Sequence, residues 1–158
     1  MNLGPGASTA SSVNDFAVQK RTRQVLGCLA LKGKVTLDVG CGNGLYTIKF
    51  AELAQDIIGV DINEESLKEA RRNKLELNGS GEFIRASAEN LPFYNSCFDV
   101  VIAIETLEHV KNQERALQEA SRVLRKDGYL VTYVPNRLYP LETHGLTIGN
   151  KMIHGFHG

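Results

Sequence analysis

Residues 35–44 of the chain have the sequence VTLDVGCGNG, an apolar, β-branched run that ends in three glycines within five residues. The apolar run predicts a buried strand. The glycines predict a sharp turn whose backbone can approach a ligand closely. A helical pattern of apolar residues follows from Leu45. A strand, a glycine-rich turn and a helix in this order indicate a turn that binds a cofactor.

An acidic residue further along the chain supports this interpretation. The next apolar run, residues 57–60, is followed by Asp61, seventeen positions after Gly44. An acid at this distance holds a ribose hydroxyl in βαβ nucleotide sites. Asp61 could also cap the helix that follows it, and the two roles are compatible.

The composition is that of an ordinary globular protein, with 42% apolar and 23% charged residues among 158. Eighteen basic and eighteen acidic residues cancel, which disfavours a nucleic-acid partner. The cysteines Cys28, Cys41 and Cys97 form no Cys-x-x-Cys pair and no disulfide framework, so we expect a reducing, cytoplasmic location. No apolar run approaches the ~18 residues that span a membrane.

Strand and helix patterns alternate along the chain. Residues 1–12 predict a disordered leader, and residues 13–158 predict a single domain. Helices are predicted over residues 14–31, 45–54, 63–77 and 114–124, and strands over 35–39, 57–60, 82–86, 98–104 and 129–134. This order predicts an α/β fold, a doubly wound, Rossmann-like parallel sheet of about five strands with helices on both faces. The charged residues of the first helix, Lys20, Arg21 and Arg23, are expected to face solvent.

The glycine spacing distinguishes two classes of cofactor. Dinucleotide sites carry Gly-x-Gly-x-x-Gly, but here Leu45 occupies the sixth position and Gly44 comes one residue early. Asp38 lies two residues before the first glycine, where its carboxylate would repel a pyrophosphate and attract an amino group. Asp38 could alternatively be a helix-capping or strand-end acid. The pattern favours a sulfonium amino acid joined to adenosine over NAD.

This turn resembles the first motif of the class I S-adenosylmethionine-dependent methyltransferases, and later segments resemble further motifs in the family's order. The segments are LDVGCGNG at 37–44, VDI at 60–62, AENLPF at 88–93, FDVV at 98–101 with ETLEHV at 105–110, and VLRKDGYL at 123–130. The resemblance implies S-adenosylmethionine as cofactor and S-adenosylhomocysteine as product. It is to the small-molecule enzymes of the family, among them the quinone-biosynthesis methyltransferases.

The resemblance also implies which residues hold the methionine part of the cofactor. The backbone at Gly40 and Gly42 would pack under it, and Asp38 would orient its amino group through water or a backbone group. Cys41 between the glycines would be a small spacer.

Other residues are implied at the nucleoside end. Asp61 would accept both ribose hydroxyls, and Ile62 would lie against the adenine face. Further contacts are implied at the adenine edge by Ser87, Ala88 and Glu89, and in the methionine pocket by Ile104 and Glu105. Relatives with an aspartate at the Ser87 position use it for the adenine amino group, so adenine recognition departs from the family pattern here.

The segment after the fourth strand bears on the acceptor. The Asp/Asn-Pro-Pro-aromatic tetrapeptide of amino-group methyltransferases is missing, which favours a small-molecule acceptor methylated on oxygen or carbon. Glu105, Glu108 and His109 would share one face if this segment were helical. They could then bind a divalent metal; in the simpler alternative no metal is bound and they close the pocket and satisfy backbone groups. His109 is our candidate proton acceptor.

The C-terminal residues show the weakest helix or strand pattern in the chain. The family's sheet usually has seven strands, the last two an antiparallel hairpin beside the fifth, and residues 135–158 predict an irregular acceptor-side segment without it. The fifth strand would then be an exposed edge through which two copies could form a homodimer. The alternative functions are a cofactor-binding domain without independent catalysis and, more distantly, an NAD-dependent oxidoreductase.

Overall fold

The computed structural model describes residues 15–135, 144–148 and 151–154, so the predicted leader and Asn14 lie outside the described residues. The helices are α1 (Phe16–Cys28), α2 (Leu45–Ala51), α3 (Glu64–Glu76) and α4 (Gln113–Val123). The strands are β1 (Val35–Val39), β2 (Asp56–Asp61), β3 (Glu82–Arg85), β4 (Phe98–Ile104), β5 (Leu124–Pro135), β6 (His144–Ile148) and β7 (Lys151–His154). These strands form one sheet in the order β3-β2-β1-β4-β5-β6-β7.

The first five strands are parallel, and they confirm the predicted fold class. β1 pairs with β2 on one side and with β4 on the other. β3 extends the sheet beyond β2, and β5 extends it beyond β4. The connection from β3 to β4 therefore reverses the direction in which the sheet grows. In open sheets of this kind, ligands bind beyond the carboxyl ends of the strands at such a reversal.

Helices cover both faces of the sheet, as predicted. Ile102 of β4 packs in an apolar cluster with Val25 of α1 and Phe50 of α2. The preceding residue of β4, Val101, points to the other face and packs with Val123 of α4 in a second cluster. Each large apolar side chain buried in this way stabilises the fold by about 1.5–3 kcal/mol. The two-sided burial explains why β4 is apolar almost throughout.

Some element boundaries differ from the predicted ones because side-chain capping and strand pairing decide them. The side chain of Asp15, rather than Asn14, caps α1 by accepting a hydrogen bond from the N–H of Ala17 at 2.8 Å. Helix α2 ends at Ala51, three residues early. Strand β5 begins at Leu124 instead of Tyr129, and its pairing with β4 shifts register between Phe98 and Val100.

The structure corrects the prediction that the antiparallel hairpin is missing, because residues 144–148 and 151–154 form two strands beside β5. β6 pairs antiparallel with β5 over five residue pairs, from Val131–Ile148 to Pro135–His144. β7 pairs antiparallel with β6. The edge of β5 proposed for a homodimer is therefore occupied by β6 of the same chain. Short strands with little period escaped recognition because pairing with β5, not local sequence pattern, stabilises them.

In the described part of the chain, every helix is too short or too polar to cross a membrane.

Candidate functional site

The predicted site residues collect at one edge of the sheet, beyond the carboxyl ends of the parallel strands. The glycine turn follows β1, and residues 87–89 follow β3. Asp61 is the last residue of β2 and Ile62 follows it, just as Ile104 is the last residue of β4 and Glu105 follows it. The structure thus brings together segments that lie far apart in the sequence, because neighbouring parallel strands end at the same edge.

The backbone N–H groups of the glycine turn are bonded to β2. Gly40 and Cys41 both donate to the carbonyl oxygen of Val60, at 2.8 and 3.0 Å. Gly42 donates to Oδ2 of Asp61 at 2.8 Å. These three N–H groups consequently do not form an open phosphate cradle of the kind found in dinucleotide sites.

The three glycines of the turn have different surroundings, although all three have positive φ. A Cβ atom on Gly40 would lie 2.3 Å from Oγ1 of Thr106, and one on Gly44 would lie 2.6 Å from the ring of Phe83. A Cβ atom on Gly42 would meet nothing within 4 Å. Gly40 and Gly44 therefore allow close packing within the protein, whereas Gly42 is where a ligand can approach the backbone.

Asp61 is positioned by two backbone bonds. Its Oδ2 accepts from Gly42, and its Oδ1 accepts from the N–H of Asn63 at 2.8 Å. The cap of α3 is Asn63, whose side chain accepts from Glu65 and Ser66. Each carboxylate oxygen can accept more than one hydrogen bond, so both oxygens can still accept ligand hydroxyls.

Ile62 follows this carboxylate and is 65% exposed, although it is a large apolar residue. Its main-chain carbonyl accepts a hydrogen bond from Nε of Arg85, which fixes the backbone there. An exposed isoleucine beside a hydroxyl-accepting carboxylate offers an apolar surface for a flat ring.

Asp38 lies beneath the turn and is only 2% exposed. Its Oδ2 accepts a hydrogen bond from Oγ1 of Thr47 in α2 at 2.6 Å. Burial raises the pKa of Asp38 from 3.8 to about 6, the bond from Thr47 opposes this rise, and the nearby Asp61 carboxylate adds to it. Asp38 is thus ionised at neutral pH, and the turn lies between two carboxylates.

The side chain of Cys41 points into the protein. It packs in a small apolar cluster with Ile48, Leu67 and Phe83. Burial raises the pKa of its thiol, and the carboxylates of Asp38 and Asp61 raise it further. Cys41 is therefore a poor nucleophile.

The segment after β3 is tied to the loop before α4. Oε1 of Glu89 accepts hydrogen bonds from the N–H groups of Lys111 and Asn112, at 2.9 and 3.2 Å. The hydroxyl of Ser87 accepts from the N–H of Glu89 at 3.2 Å, and Ala88 packs against the apolar cluster beneath. The Glu89 carboxylate is held by the protein, so the contact implied at the adenine edge would fall to the backbone.

The end of β4 carries a backbone conformation that is rare outside glycine. Ile104 is buried in the core, and Glu105 follows it with a φ of 52°. The N–H of Glu105 donates to the carbonyl of Tyr133 in β5 at 2.8 Å. Such outliers cost about 1–3 kcal/mol and occur most often at functional sites.

Arg21 of α1 was predicted to face solvent, and this prediction is wrong. Its guanidinium pairs with the Glu105 carboxylate and donates to the hydroxyl of Tyr46 at 3.0 Å. It also lies 5.2 Å from the centre of the Tyr133 ring. This cluster of two charges and two phenols, beside the implied methionine pocket, was not predicted from the sequence.

A local signal for Arg21 exists in the sequence. The fully buried Val18 and Val25 lie three residues before it and four residues after it, which places Arg21 on the same face of the helix. A long cationic side chain on such a face can pack its methylene groups against the core and extend its charged group beyond it.

The predicted face shared by Glu105, Glu108 and His109 does not form. A 3-10 helix covers only Leu107–His109, and Glu105 lies outside it in the left-handed conformation. Within the described residues, no three side chains of His, Cys, Asp or Glu are arranged to hold a metal ion. The imidazole of His109 is exposed at the site edge of the sheet.

Comparison with known proteins agrees with this geometry. The family model described as "Methyltransferase domain" matches residues 37–132. The 27-O-demethylrifamycin SV methyltransferase of Amycolatopsis mediterranei is 35% identical over 125 residues, 76% of this chain and 46% of that protein. The ubiquinone biosynthesis O-methyltransferase of Aliivibrio fischeri is 33% identical over 108 residues, 68% of this chain and 46% of that protein.

A solved structure has a similar fold over most of this chain. The YcgJ protein of Bacillus subtilis superposes with a TM-score of 0.72 and 25% identity, over 74% of this chain and 51% of that chain. The chain spans less than half the length of the curated relatives that it matches here.

Proposed function

Because this chain belongs to the class I S-adenosylmethionine-dependent methyltransferases, we propose that it binds S-adenosylmethionine beyond the ends of β1 and β2 and transfers its methyl group to a small-molecule acceptor. The observation that carries this proposal is the hydrogen bond from the N–H of Gly42 to the carboxylate of Asp61. Gly42 is the glycine of the turn with open space beside it, and the Asp61 carboxylate can accept further hydrogen bonds.

The residues at the site fit this cofactor. Two carboxylates, Asp38 and Asp61, favour a ligand with a cationic amino group and with hydroxyl donors. The exposed Ile62 suits an adenine ring. The same carboxylates and the occupied N–H groups of the turn disfavour a pyrophosphate, so the alternative of an NAD-dependent oxidoreductase has no support in this geometry.

The proposed reaction needs alignment and loss of a proton. When bound, the cofactor supplies a methyl group on a sulfonium sulfur, which an acceptor oxygen or carbon displaces in line. Oxygen or carbon is proposed over nitrogen because β4 is followed by Glu105-Thr106-Leu107, and the names of both curated relatives describe methylation at oxygen. Balanced charge favours a small acceptor over nucleic acid, and a cytoplasmic location remains a prediction from composition.

His109 is proposed as the group that accepts the proton. It is exposed just beyond β4, on the edge of the sheet that carries the cofactor residues. A histidine is suited to proton transfer near neutral pH. Turnover of the His109→Ala protein should fall about 100-fold or more while its cofactor affinity is unchanged; undiminished turnover contradicts the role.

A second candidate function is cofactor binding without independent catalysis, as a partner subunit. The cofactor residues all lie within the matched segment, residues 37–132. Binding and transfer must therefore be tested separately.

The test uses calorimetry with S-adenosylmethionine, S-adenosylhomocysteine and NAD, followed by transfer of a labelled methyl group to a panel of phenols, enols and amines. Asp61→Asn should weaken binding of both adenosyl ligands about tenfold or more, because a hydrogen bond to a charged acceptor is lost. Asp56→Asn, an exposed position at the other end of β2, is the matched control and should bind normally.

The outcomes separate the candidates. Binding with transfer to an oxygen or carbon acceptor supports the main proposal. Binding without transfer supports the second candidate. Binding of NAD and of neither adenosyl ligand contradicts both.

A further inference from the structure

Thr47 is a buried polar residue that the proposed chemistry does not use. It lies in the first turn of α2 and is fully buried, and its hydroxyl donates to Oδ2 of Asp38 at 2.6 Å. β2 leaves room for this hydroxyl, since a Cβ atom on Gly59 would lie 2.9 Å from Oγ1 of Thr47 and 2.9 Å from the Cys41 side chain. The contact is thus built by three elements, β1, α2 and β2.

The charged surroundings of Asp38 work against its ionised form. Asp61 approaches from the end of β2 and disfavours a second negative charge. Cys41 of the turn and Tyr46 of α2 also face Asp38, and burial favours the neutral form of both. The hydrogen bond from Thr47 acts in the opposite direction, because it stabilises the carboxylate.

We propose that Thr47 is a positioning residue for cofactor binding: its hydroxyl holds the Asp38 carboxylate ionised and in one orientation beneath the glycine turn. The inference rests on the proposed function, because it assumes that the ligand carries a cationic amino group. Thr47 itself does not touch the ligand in this scheme. Its effect passes through the charge of Asp38.

The experiment measures the Kd of S-adenosylhomocysteine from about pH 5.5 to about pH 8.5. The proteins are the wild type, Thr47→Val, Thr47→Ser and a control, Thr36→Val. Thr36 is a fully buried threonine of β1 whose hydroxyl has no hydrogen-bond partner among the described residues. Its substitution removes a buried hydroxyl but no hydrogen bond to Asp38.

Wild-type affinity should fall as the pH drops through about 6, where Asp38 takes up a proton. In Thr47→Val the fall should begin about one to two pH units higher, because a hydrogen bond to a charged group is lost. Near pH 7 the variant should bind about two- to tenfold more weakly, and the difference should shrink at the alkaline end. Thr47→Ser and Thr36→Val should follow the wild type.

A Thr47→Val protein with the wild-type profile, or with a loss of affinity that is the same at every pH, overturns the inference. So does a Thr36→Val profile that shifts equally. If Thr47→Val does not fold, the carbon-13 titration of the Asp38 carboxyl in the wild type decides: it must move to lower pH when the ligand binds, and an unmoved titration overturns the inference. Failure of the proposed function is a separate result, in which the wild type binds no S-adenosylhomocysteine at any pH.

Discussion

In the proposed function, Asp38 favours ligand binding at the expense of stability. Its carboxylate is almost fully buried, and one hydrogen bond from Thr47 only partly replaces the water that it has lost. An ionised carboxylate in such a place costs several kcal/mol unless it is compensated. A cationic ligand above the turn would compensate the buried charge. The ionised carboxylate therefore destabilises mainly the ligand-free protein.

The pH dependence of stability follows from the pKa of this group. The folded-state pKa is about 6 and the ordinary value is 3.8. The stability that Asp38 contributes is therefore present below pH 3.8 and is lost as the pH rises through about 6. Asp38→Asn removes the charge, so we expect it to raise the free energy of unfolding at pH 7 by about 2–3 kcal/mol while it weakens S-adenosylhomocysteine binding.

Thermal unfolding at pH 4 and pH 7 checks this prediction. The gain in Tm should appear at pH 7 and be small at pH 4, where Asp38 of the wild type is already protonated. Asp56→Asn is the control, because Asp56 is exposed and its charge is solvated. An equal change of Tm at both pH values would show that the effect is not electrostatic.

At the scale of the element, the glycine turn combines two requirements that the sequence shows as one motif. Gly40 is needed because Thr106 fills the space beside it, and the Thr106 hydroxyl is fixed by bonds to the carbonyls of Val39 and Ile104, at 2.8 and 3.1 Å. Gly42 faces open space, and the proposed function has the ligand approach the backbone there. In that proposal the motif contains one glycine for packing and one for binding.

Alanine substitutions should separate these two roles. Gly40→Ala should reduce the free energy of unfolding by about 3 kcal/mol or more, because its methyl group meets a buried side chain that cannot move. Gly42→Ala should cost only about 1 kcal/mol, the strain of a positive φ, but should weaken S-adenosylhomocysteine binding at least tenfold. Urea unfolding and calorimetry measure the two effects, and a Gly42→Ala protein that binds normally contradicts the assignment.

At the scale of the whole molecule, two strands of the same chain extend the sheet beyond β5. β6 pairs with β5 from Val131 to Pro135, and β7 covers β6. Without them, the edge of β5 would present unpaired N–H and C=O groups beside apolar side chains. Exposed edges of this kind pair with other chains.

A chain that ends after Pro135 should therefore self-associate, whereas a chain that ends after His154 retains both strands and serves as the control. Light scattering coupled to size-exclusion chromatography at several protein concentrations should show a rising mass only for the shorter chain. A shorter chain that stays monomeric would mean that β6 and β7 are not what protects this edge.

The sequence by itself determined the five parallel strands, their helices and the glycine turn with its distant acid. These features depend on local periodicity and on the spacing of residues such as Gly42 and Asp61, and both can be recognised in the sequence. The apolar run of β4, in particular, was predicted with its observed bounds, residues 98–104. A strand buried on both faces is apolar along most of its length, so its pattern is strong.

Only the tertiary structure decided which partners the polar side chains take. Arg21 pairs with Glu105 across 84 positions of sequence, and Glu89 is bonded to the loop before α4 instead of pointing at the site. The same holds for β6 and β7, which exist as strands because β5 offers them an edge. Such contacts join residues that only the folded sheet brings close together. Their free energy comes from contacts between distant parts of the chain, so no local sequence pattern predicts them.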